Sequence, residues 1–115
     1  MIEQWLDQFQ KGWMQQDISS VMDLFAEDLE YWETPFQKIT SKTELYNEWQ
    51  AIKQQSRINV ATTVLATTGP SSTVKWHLTY RTVNGEICEW AGLYIVKLKA
   101  DGKCAYFYQV GESKR

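Results

Sequence analysis

Three turn signals divide the second half of the chain: Gly69-Pro70, Asn84-Gly85 and Asp101-Gly102. The segments that they bound are rich in β-branched and aromatic residues, which is typical of β-strands. We predict strands over residues 58 to 66, 73 to 83, 86 to 99 and 103 to 111. Asn-Gly and Asp-Gly are the dipeptides that two-residue hairpin turns prefer, so the later strands should form an antiparallel meander. The rest of the chain has to pack against this sheet.

The first half of the chain carries helical periodicity. Apolar residues recur there every three or four positions, at Ile2, Leu6, Phe9 and Trp13. This spacing predicts an amphipathic helix over residues 2 to 15. Asp17 can cap a short second helix, and Ser41 with Glu44 forms a capping box. A third helix over residues 42 to 55 follows that box, so the sequence predicts an α+β fold with three helices packed on a mainly antiparallel sheet.

Length and charge narrow the class of protein. The 115 residues have the length of one domain, and residues 112 to 115 are expected to form a frayed tail. The formal charge is −2 and the 12 Lys and Arg residues are scattered, which argues against a nucleic-acid partner. The start, MIEQWLDQFQ, lacks the basic region of a signal peptide, and no segment has the length of a membrane span. We therefore expect a cytoplasmic protein with no membrane partner.

Disulfide and metal chemistry have little support in the sequence. With Asp101-Gly102 as a two-residue turn, Cys104 faces Lys99, and Cys88 lies far along the partner strand. An intramolecular disulfide is therefore not expected. The chain has one histidine and neither a CxxC nor an HExxH motif, so we predict no metal and no other cofactor.

The hairpin turns sort the strand side chains onto two faces of the sheet. If both turns have two residues, the face that we call the smooth face carries Trp76, Leu78, Tyr80, Glu89, Ala91, Leu93, Ile95, Tyr106 and Tyr108. The opposite face, which we call the mixed face, carries Lys75, His77, Thr79, Arg81, Cys88, Trp90, Gly92, Tyr94, Val96, Phe107 and Gln109. Polarity alone predicts that the smooth face covers the helices. The mixed face would then expose Trp90, Tyr94 and Phe107 together, so both faces need some cover.

The stretch FAEDLEYWETPF, residues 25 to 36, places an acid among aromatic residues. Leu29, Tyr31 and Glu33 alternate as they would on one face of a strand, whose inward side then ends in a carboxylate. Burial of a lone carboxylate is unfavourable, which suggests that the group has a use. The alternative is that Glu33 points out of the strand end into solvent.

Two motifs carry a family resemblance. The run LFAED before a strand that ends near Pro35, and the later run WAGLYIVKLKADGK, resemble the SnoaL-like branch of the nuclear-transport-factor-type superfamily. That superfamily includes polyketide cyclases and ketosteroid isomerases. The resemblance covers nearly the whole chain and implies a cone-shaped α+β barrel with a strongly curved sheet. It is specific for the fold and weak for function, because this fold hosts enzymes of several classes and non-catalytic binding modules.

The resemblance also implies positions for a site. Matching LFAED to the isomerases places Glu33 where their general-base aspartate stands, and matching the DGK turn places Tyr94 where their late-strand oxyanion acid stands. The mixed face then lines the cone, which reverses the expectation from polarity. The smooth face becomes a homodimer surface, with Trp76, Leu78, Leu93, Ile95, Tyr106 and Tyr108. A matching hydrogen-bond donor on the first helix is absent, since Phe9 stands where the isomerases have tyrosine, so steroid isomerisation is not expected.

Two functions of different class follow. In the first, the cone holds a small, partly apolar molecule and performs proton-transfer chemistry of the isomerase, cyclase or dehydratase class. Glu33 would be the base, Tyr94 the hydrogen-bond donor, and His77 or Arg81 would orient a polar group of the ligand. The ligand-binding residues would be Phe9, Trp13, Tyr31, Trp49, Thr79, Arg81, Trp90, Phe107 and Gln109. In the second, the protein is a non-catalytic dimeric binding or accessory module. A buried Glu33 with a raised pKa favours the first function, and a cone filled by tryptophans favours the second.

Overall fold

The computed structural model describes residues 1 to 114, which form three α-helices, one 3₁₀ helix and six β-strands. The helices are α1 (Ile2–Met14), α2 (Ile18–Met22), α3 (Lys42–Trp49) and the 3₁₀ helix (Gln50–Gln54). The strands are β1 (Phe25–Thr34), β2 (Gln37–Ile39), β3 (Ser56–Thr68), β4 (Ser71–Arg81), β5 (Ile87–Leu98) and β6 (Cys104–Ser113). The predicted α+β class is confirmed. None of the helices in the described part of the chain has the length and apolar character needed to cross a bilayer.

One mixed sheet holds all six strands in the order β2-β1-β6-β5-β4-β3. The β1 and β6 pair is parallel, and the other neighbours are antiparallel. The sheet is an open cone, because β2 and β3 remain as its edges. Strand β2 is missing from the sequence prediction, since its three residues are too short to show a period.

The helix boundaries follow from local hydrogen bonds. The Asp17 side chain accepts from the Ser20 amide at 3.2 Å and caps α2, and the Ser41 hydroxyl accepts from the Glu44 amide at 3.1 Å at the start of α3. The predicted third helix continues to residue 55, whereas α3 ends at Trp49 and the 3₁₀ helix takes over. This change tightens the chain before it enters β3.

Both predicted two-residue hairpin turns are in fact three-residue loops. Between β4 and β5, the Thr82 amide donates to the Glu86 carbonyl at 2.9 Å, and Gly85 adopts a φ of 82°. Between β5 and β6, the Lys99 amide donates to the Lys103 carbonyl at 2.8 Å, and Gly102 adopts a φ of 87°. A glycine in the left-handed region at the end of the loop is the usual solution for a three-residue hairpin.

A bulge in β6 restores the predicted register of the β5–β6 hairpin, whereas the β4–β5 hairpin has no bulge to do so. Leu98 pairs with Cys104 while Lys97 pairs with Tyr106, so Ala105 is an extra residue that shifts the register by one. The predicted pairing of Ile95 with Tyr108 is therefore confirmed. The β4 and β5 pair has no such bulge along its ladder, and its register differs by one residue from the prediction.

That one-residue difference exchanges the two faces of β4. Trp76 lies opposite Gly92 rather than Leu93, and both Trp76 and Leu78 are buried in the core at 5% exposure. The prediction that they belong to a dimer surface is wrong. His77, Thr79 and Arg81 have the opposite parity and lie on the outer face of the sheet, so their predicted place inside the cone is wrong too.

The end of the chain also differs from the prediction. Glu112 and Ser113 belong to β6, and the Lys114 amide donates to the Glu89 carbonyl at 2.9 Å. These residues pair with β5 instead of fraying, because β5 is long enough to provide partners for them. Arg115, the last residue of the predicted tail, lies outside the described residues.

Trp76 fills a space that two glycines leave open. Gly92 and Gly111 are directly paired on β5 and β6, and the Trp76 indole crosses both of them. A Cβ atom on Gly111 would lie 2.5 Å from Cζ2 of Trp76, which is closer than real Cβ contacts. On its other side Trp76 stacks on Tyr94, with ring centroids 5.3 Å apart.

Gly111→Ala should therefore lower the free energy of unfolding by about 1–3 kcal/mol, because the added methyl group overpacks against the indole. Urea denaturation measures this change. In a Trp76→Phe background the same substitution should cost clearly less, since phenylalanine lacks the ring carbon that the methyl group meets. Equal costs in both backgrounds would contradict this account of the contact.

Candidate functional site

A cavity of about 140 Å³ lies between the helices and the inner face of the sheet. Its walls come from α1, α3, the 3₁₀ helix and strands β1, β5 and β6. They consist of Phe9, Trp13, Tyr31, Glu33, Glu48, Trp49, Ala51, Ile52, Gln55, Tyr94 and Gln109. Glu48 and Ala51 are exposed, so they mark the opening of the cavity to solvent.

Glu33 lines this cavity from a β-bulge. Trp32 pairs with Lys38 and Thr34 pairs with Gln37, which leaves Glu33 as the extra residue of β1. Bulges of this kind are common beside active sites because they redirect a side chain. The side-chain amide of Gln109 donates to the backbone carbonyl of Glu33 at 2.9 Å, and this bond connects the bulge to β6.

The surroundings of Glu33 favour its protonated form. Burial raises the pKa of Glu33 to about 7, and the negative charge of Glu48 contributes to the increase. The side chains of Tyr31 and Gln109 act in the opposite direction by favouring the carboxylate. A carboxyl group with a pKa near neutrality can accept and release protons at physiological pH.

Tyr94 presents its hydroxyl group to the same cavity. Its ring is 1% exposed and is held between Trp76, on which it stacks, and Phe9, which it meets edge to face at 5.8 Å. Burial raises the pKa of Tyr94 well above its usual value, and the charge of Glu33 adds to this effect. The hydroxyl therefore keeps its proton and can act only as a neutral hydrogen-bonding group.

Aromatic rings enclose the remaining sides of the cavity. The planes of Trp13 and Trp49 meet at 70° with centroids 4.9 Å apart, and Phe9 lies at 82° and 78° to them. The Trp13 indole donates to Oε1 of Gln55 at 3.0 Å, which fixes its orientation. These rings are steeply inclined to one another rather than stacked in parallel, and this arrangement gives the cavity a defined shape.

The Gln16 side chain fixes the mouth of the cavity. Gln16 adopts a φ of 56°, which is rare for a residue other than glycine. From this position its amide nitrogen donates to the backbone carbonyls of Ile52 and Gln55, both at 2.8 Å. The 3₁₀ helix is thereby attached to the end of α1.

Comparisons with known proteins identify the family of the domain. The family model described as "SnoaL-like domain" matches residues 2–107. The chain belongs to the SnoaL-like domain family. No curated protein matches the sequence.

Solved structures with the same fold include three relatives of low sequence identity. An NTF2-like protein of unknown function from Exiguobacterium sp. 255-15 has 17% identity and a TM-score of 0.79, with 94% of this chain and 98% of that chain covered. The Δ5-3-ketosteroid isomerase from Mycobacterium sp. has 12% identity and a TM-score of 0.81, with coverage of 96% and 95%. A LEH-like epoxide hydrolase from M. tuberculosis has 12% identity and a TM-score of 0.72, with coverage of 95% and 80%. These likenesses show the fold alone.

The SnoaL-like cone brings together part of the predicted site. The cavity walls contain the predicted residues Glu33, Tyr94, Phe9, Trp13, Tyr31, Trp49 and Gln109. Trp90 and Phe107 lie on the inner face but outside this cavity: Phe107 stacks on Tyr31 within the core at 4.8 Å, and Trp90 packs at the far end of β5.

Three predicted residues have other roles on the outer face. Nε2 of His77 lies 2.7 Å from Oε2 of Glu89, and Arg81 donates to the Gly85 carbonyl at 3.2 Å. Thr79 is paired with Glu89 across β4 and β5. The prediction that His77 orients a ligand inside the cone is wrong, because the β4 register turns its side chain away from the cavity.

Apart from Trp49, sequence reasoning missed the cavity residues of α3, the 3₁₀ helix and the position that follows it. Glu48, Ile52 and Gln55 follow one another at spacings of four and three, which places them on one side of a helix next to Trp49. That spacing was a usable signal for Glu48 and Gln55. Ala51 carries no comparable signal.

A larger groove of about 510 Å³ lies between α1, α2 and the β5–β6 loop. Its charged side chains, among them Asp23, Asp101 and Lys103, are exposed. The smaller cavity is the better candidate site, because the half-buried carboxyl of Glu33 and the buried hydroxyl of Tyr94 converge there among aromatic rings.

The raised pKa of Glu33 makes stability depend on pH. Because the folded-state pKa of about 7 exceeds the ordinary value of 4.5, the folded protein holds this proton more tightly, and stability falls as the pH rises between these values. Glu33→Gln should remove this loss and increase the free energy of unfolding at about pH 8 by an amount on the order of 1–3 kcal/mol, with little change near pH 4.

Urea denaturation across this pH range measures the effect. Glu86→Gln, which removes the same charge from the exposed β4–β5 loop, is the matched control and should leave the pH profile unchanged. A Glu33→Gln profile parallel to that of the wild type would show that Glu33 titrates normally.

Proposed function

We propose that the protein binds a small, partly apolar molecule in the cavity and that Glu33 transfers a proton to and from it. The observation that carries this proposal is the half-buried carboxyl of Glu33, with a pKa of about 7, lining the same cavity as the protonated hydroxyl of Tyr94. A base and a hydrogen-bond donor on different walls of one cavity form the minimum set for proton transfer next to a carbonyl group.

The two groups divide the chemistry between them. The Glu33 carboxylate removes a proton from the carbon beside a substrate carbonyl, and the electron pair moves onto the carbonyl oxygen. The Tyr94 hydroxyl donates a hydrogen bond to that oxygen as its negative charge develops. The protonated Glu33 then returns the proton to another carbon, which isomerises the substrate, or to a leaving hydroxyl group, which dehydrates it.

The size of the cavity limits the substrate. Its volume of about 140 Å³ is close to that of an engineered protein cavity of about 150 Å³ that binds benzene. A single small ring or a short branched chain fits this space, whereas a steroid does not. The absence of the first-helix donor, where Phe9 stands, is consistent with a smaller substrate.

Hydrogen exchange in a simple ketone tests the proposal without knowledge of the natural substrate. The protein should accelerate the exchange of the α-protons of cyclopentanone for deuterium in D₂O, as measured by NMR. Glu33→Gln should reduce the rate by about 10² to 10⁴, the usual contribution of a general base. Tyr94→Phe should reduce it by about 10² to 10³, as expected for one oxyanion donor.

Glu86→Gln serves as the control and should retain the wild-type rate. A Glu33→Gln variant that stays within about tenfold of the wild type would exclude Glu33 as the base. Exchange no faster than in buffer would count against proton transfer on small ketones.

The outer face of the sheet favours a second candidate function, that of a dimeric binding or accessory module. Leu93 is 39% exposed, Ile95 37% and Val110 39%, and these residues adjoin the half-buried Tyr106 and Tyr108. They form a contiguous apolar patch, because Leu93 pairs with Val110 and Ile95 with Tyr108. A patch of this kind is typical of an interface.

We expect a homodimer through this patch, with Leu93→Glu as the disrupting substitution. A carboxylate at this position would be buried without a partner, so the variant should sediment as a monomer at micromolar concentration. Thr43→Glu, at an exposed position of α3 in the helix layer on the other side of the sheet, adds the same charge away from the patch and should leave the dimer intact. A monomeric wild type would rule out this interface.

A further inference from the structure

We propose that the ligand of this cavity carries a small alkylammonium group, which contacts both the aromatic walls and the carboxylates of Glu33 and Glu48. The inference rests on the proposed function, because it names the chemical class of the molecule bound at the same site. It goes further by assigning a charge to that molecule.

The charges around the cavity have one sign. Its walls contain the carboxyl groups of Glu33 and Glu48, and within residues 1 to 114 they contain no lysine, arginine or histidine. The two acids are close enough for Glu48 to disfavour the charge on Glu33. An anionic ligand would meet the same repulsion, whereas a cation would relieve it.

The aromatic walls of the cavity also suit a cation. Trp13 and Trp49 line the cavity beside Phe9, Tyr31 and Tyr94, each of which has one face stacked on a core ring. A cation near the free face of an aromatic ring is attracted by its quadrupole. The rings of Trp13 and Trp49 stand at 70° to one another, and Phe9 is nearly perpendicular to both. Adjacent walls can therefore contact different sides of a rounded group such as trimethylammonium.

The neutral polar groups of the cavity fit the same ligand. Burial raises the pKa of both Tyr31 and Tyr94 well above the usual value, so neither hydroxyl adds a charge. Gln55 is held by the Trp13 indole, and Gln109 by the Glu33 backbone carbonyl. Glu33 and Glu48 are thus the acidic groups that face a bound cation.

A cationic substrate also favours the form of Glu33 that can accept a proton. An ammonium group near Glu33 favours its carboxylate form and lowers its pKa on binding. At neutral pH the base is then more fully ionised when the substrate is present, while in the free protein it is partly protonated and less costly to bury. Charge on the ligand thereby couples recognition to proton transfer.

Choline and its uncharged analogue 3,3-dimethyl-1-butanol test the proposal, since they share a shape and differ in one charge. Titration calorimetry should show choline binding at least tenfold more tightly than the analogue. The affinity for choline should rise by up to about tenfold between pH 6 and pH 8, as Glu33 loses its proton. Glu48→Gln should weaken choline binding several-fold without affecting the analogue, and Glu86→Gln should change neither.

The outcomes separate this inference from the proposed function. Equal or tighter binding of the uncharged analogue would overturn the choice of a cation and leave the cavity as a small-molecule site. Failure of choline to bind at up to about 20 mM would also overturn it. If cyclopentanone exchange still depended on Glu33 in that case, the proposed function would stand alone. Choline binding that is indifferent to Glu48→Gln and to Trp49→Ala would place the cation elsewhere on the surface and overturn the proposal.

Discussion

The site depends on the number of residues in one loop. Because the loop that ends at Gly85 has three residues rather than two, β4 turns Trp76 toward the helices. Trp76 then lies over the paired glycines of β5 and β6 and supports the ring of Tyr94. With a loop one residue shorter, His77 would take this place, and the stack that holds the Tyr94 hydroxyl in the cavity would be lost.

The cavity combines aromatic walls that stabilise the fold with one group, the Glu33 carboxyl, that lowers stability when it is charged. Its aromatic rings are part of the core, where they contribute burial and edge-to-face contacts. Glu33 is different, since its surroundings disfavour the charge that it carries in water. Such a group lowers stability at neutral pH and is retained in proteins mainly where it serves a function. The bulge at Glu33 is the local irregularity through which β1 accommodates it.

Much of the architecture could be predicted from periodicity and from the family motifs, but face assignments depended on details that the sequence does not display. The β5 and β6 register was correct from Tyr106 onward because the extra residue of the loop and the extra residue at Ala105 cancel, whereas Cys104, before the bulge, faces Leu98 rather than Lys99. The β4 faces were wrong because the Asn84-Gly85 loop has the same extra residue and no compensating bulge. Glu33 and Tyr94 were placed through a resemblance, whereas Glu48 and Gln55 were missed although their helical spacing from Ile52 places them beside Trp49.

The anchoring of the 3₁₀ helix by Gln16 has a consequence for how this fold can change its specificity. Gln16 binds main-chain carbonyl groups, which every residue type provides. Side chains along this rim can therefore be replaced without releasing the segment that carries them. Backbone hydrogen bonds thus fix the position of the rim, while its side chains determine what the cavity binds. Substitutions on the rim can therefore accommodate new ligands and leave the frame of the cone in place.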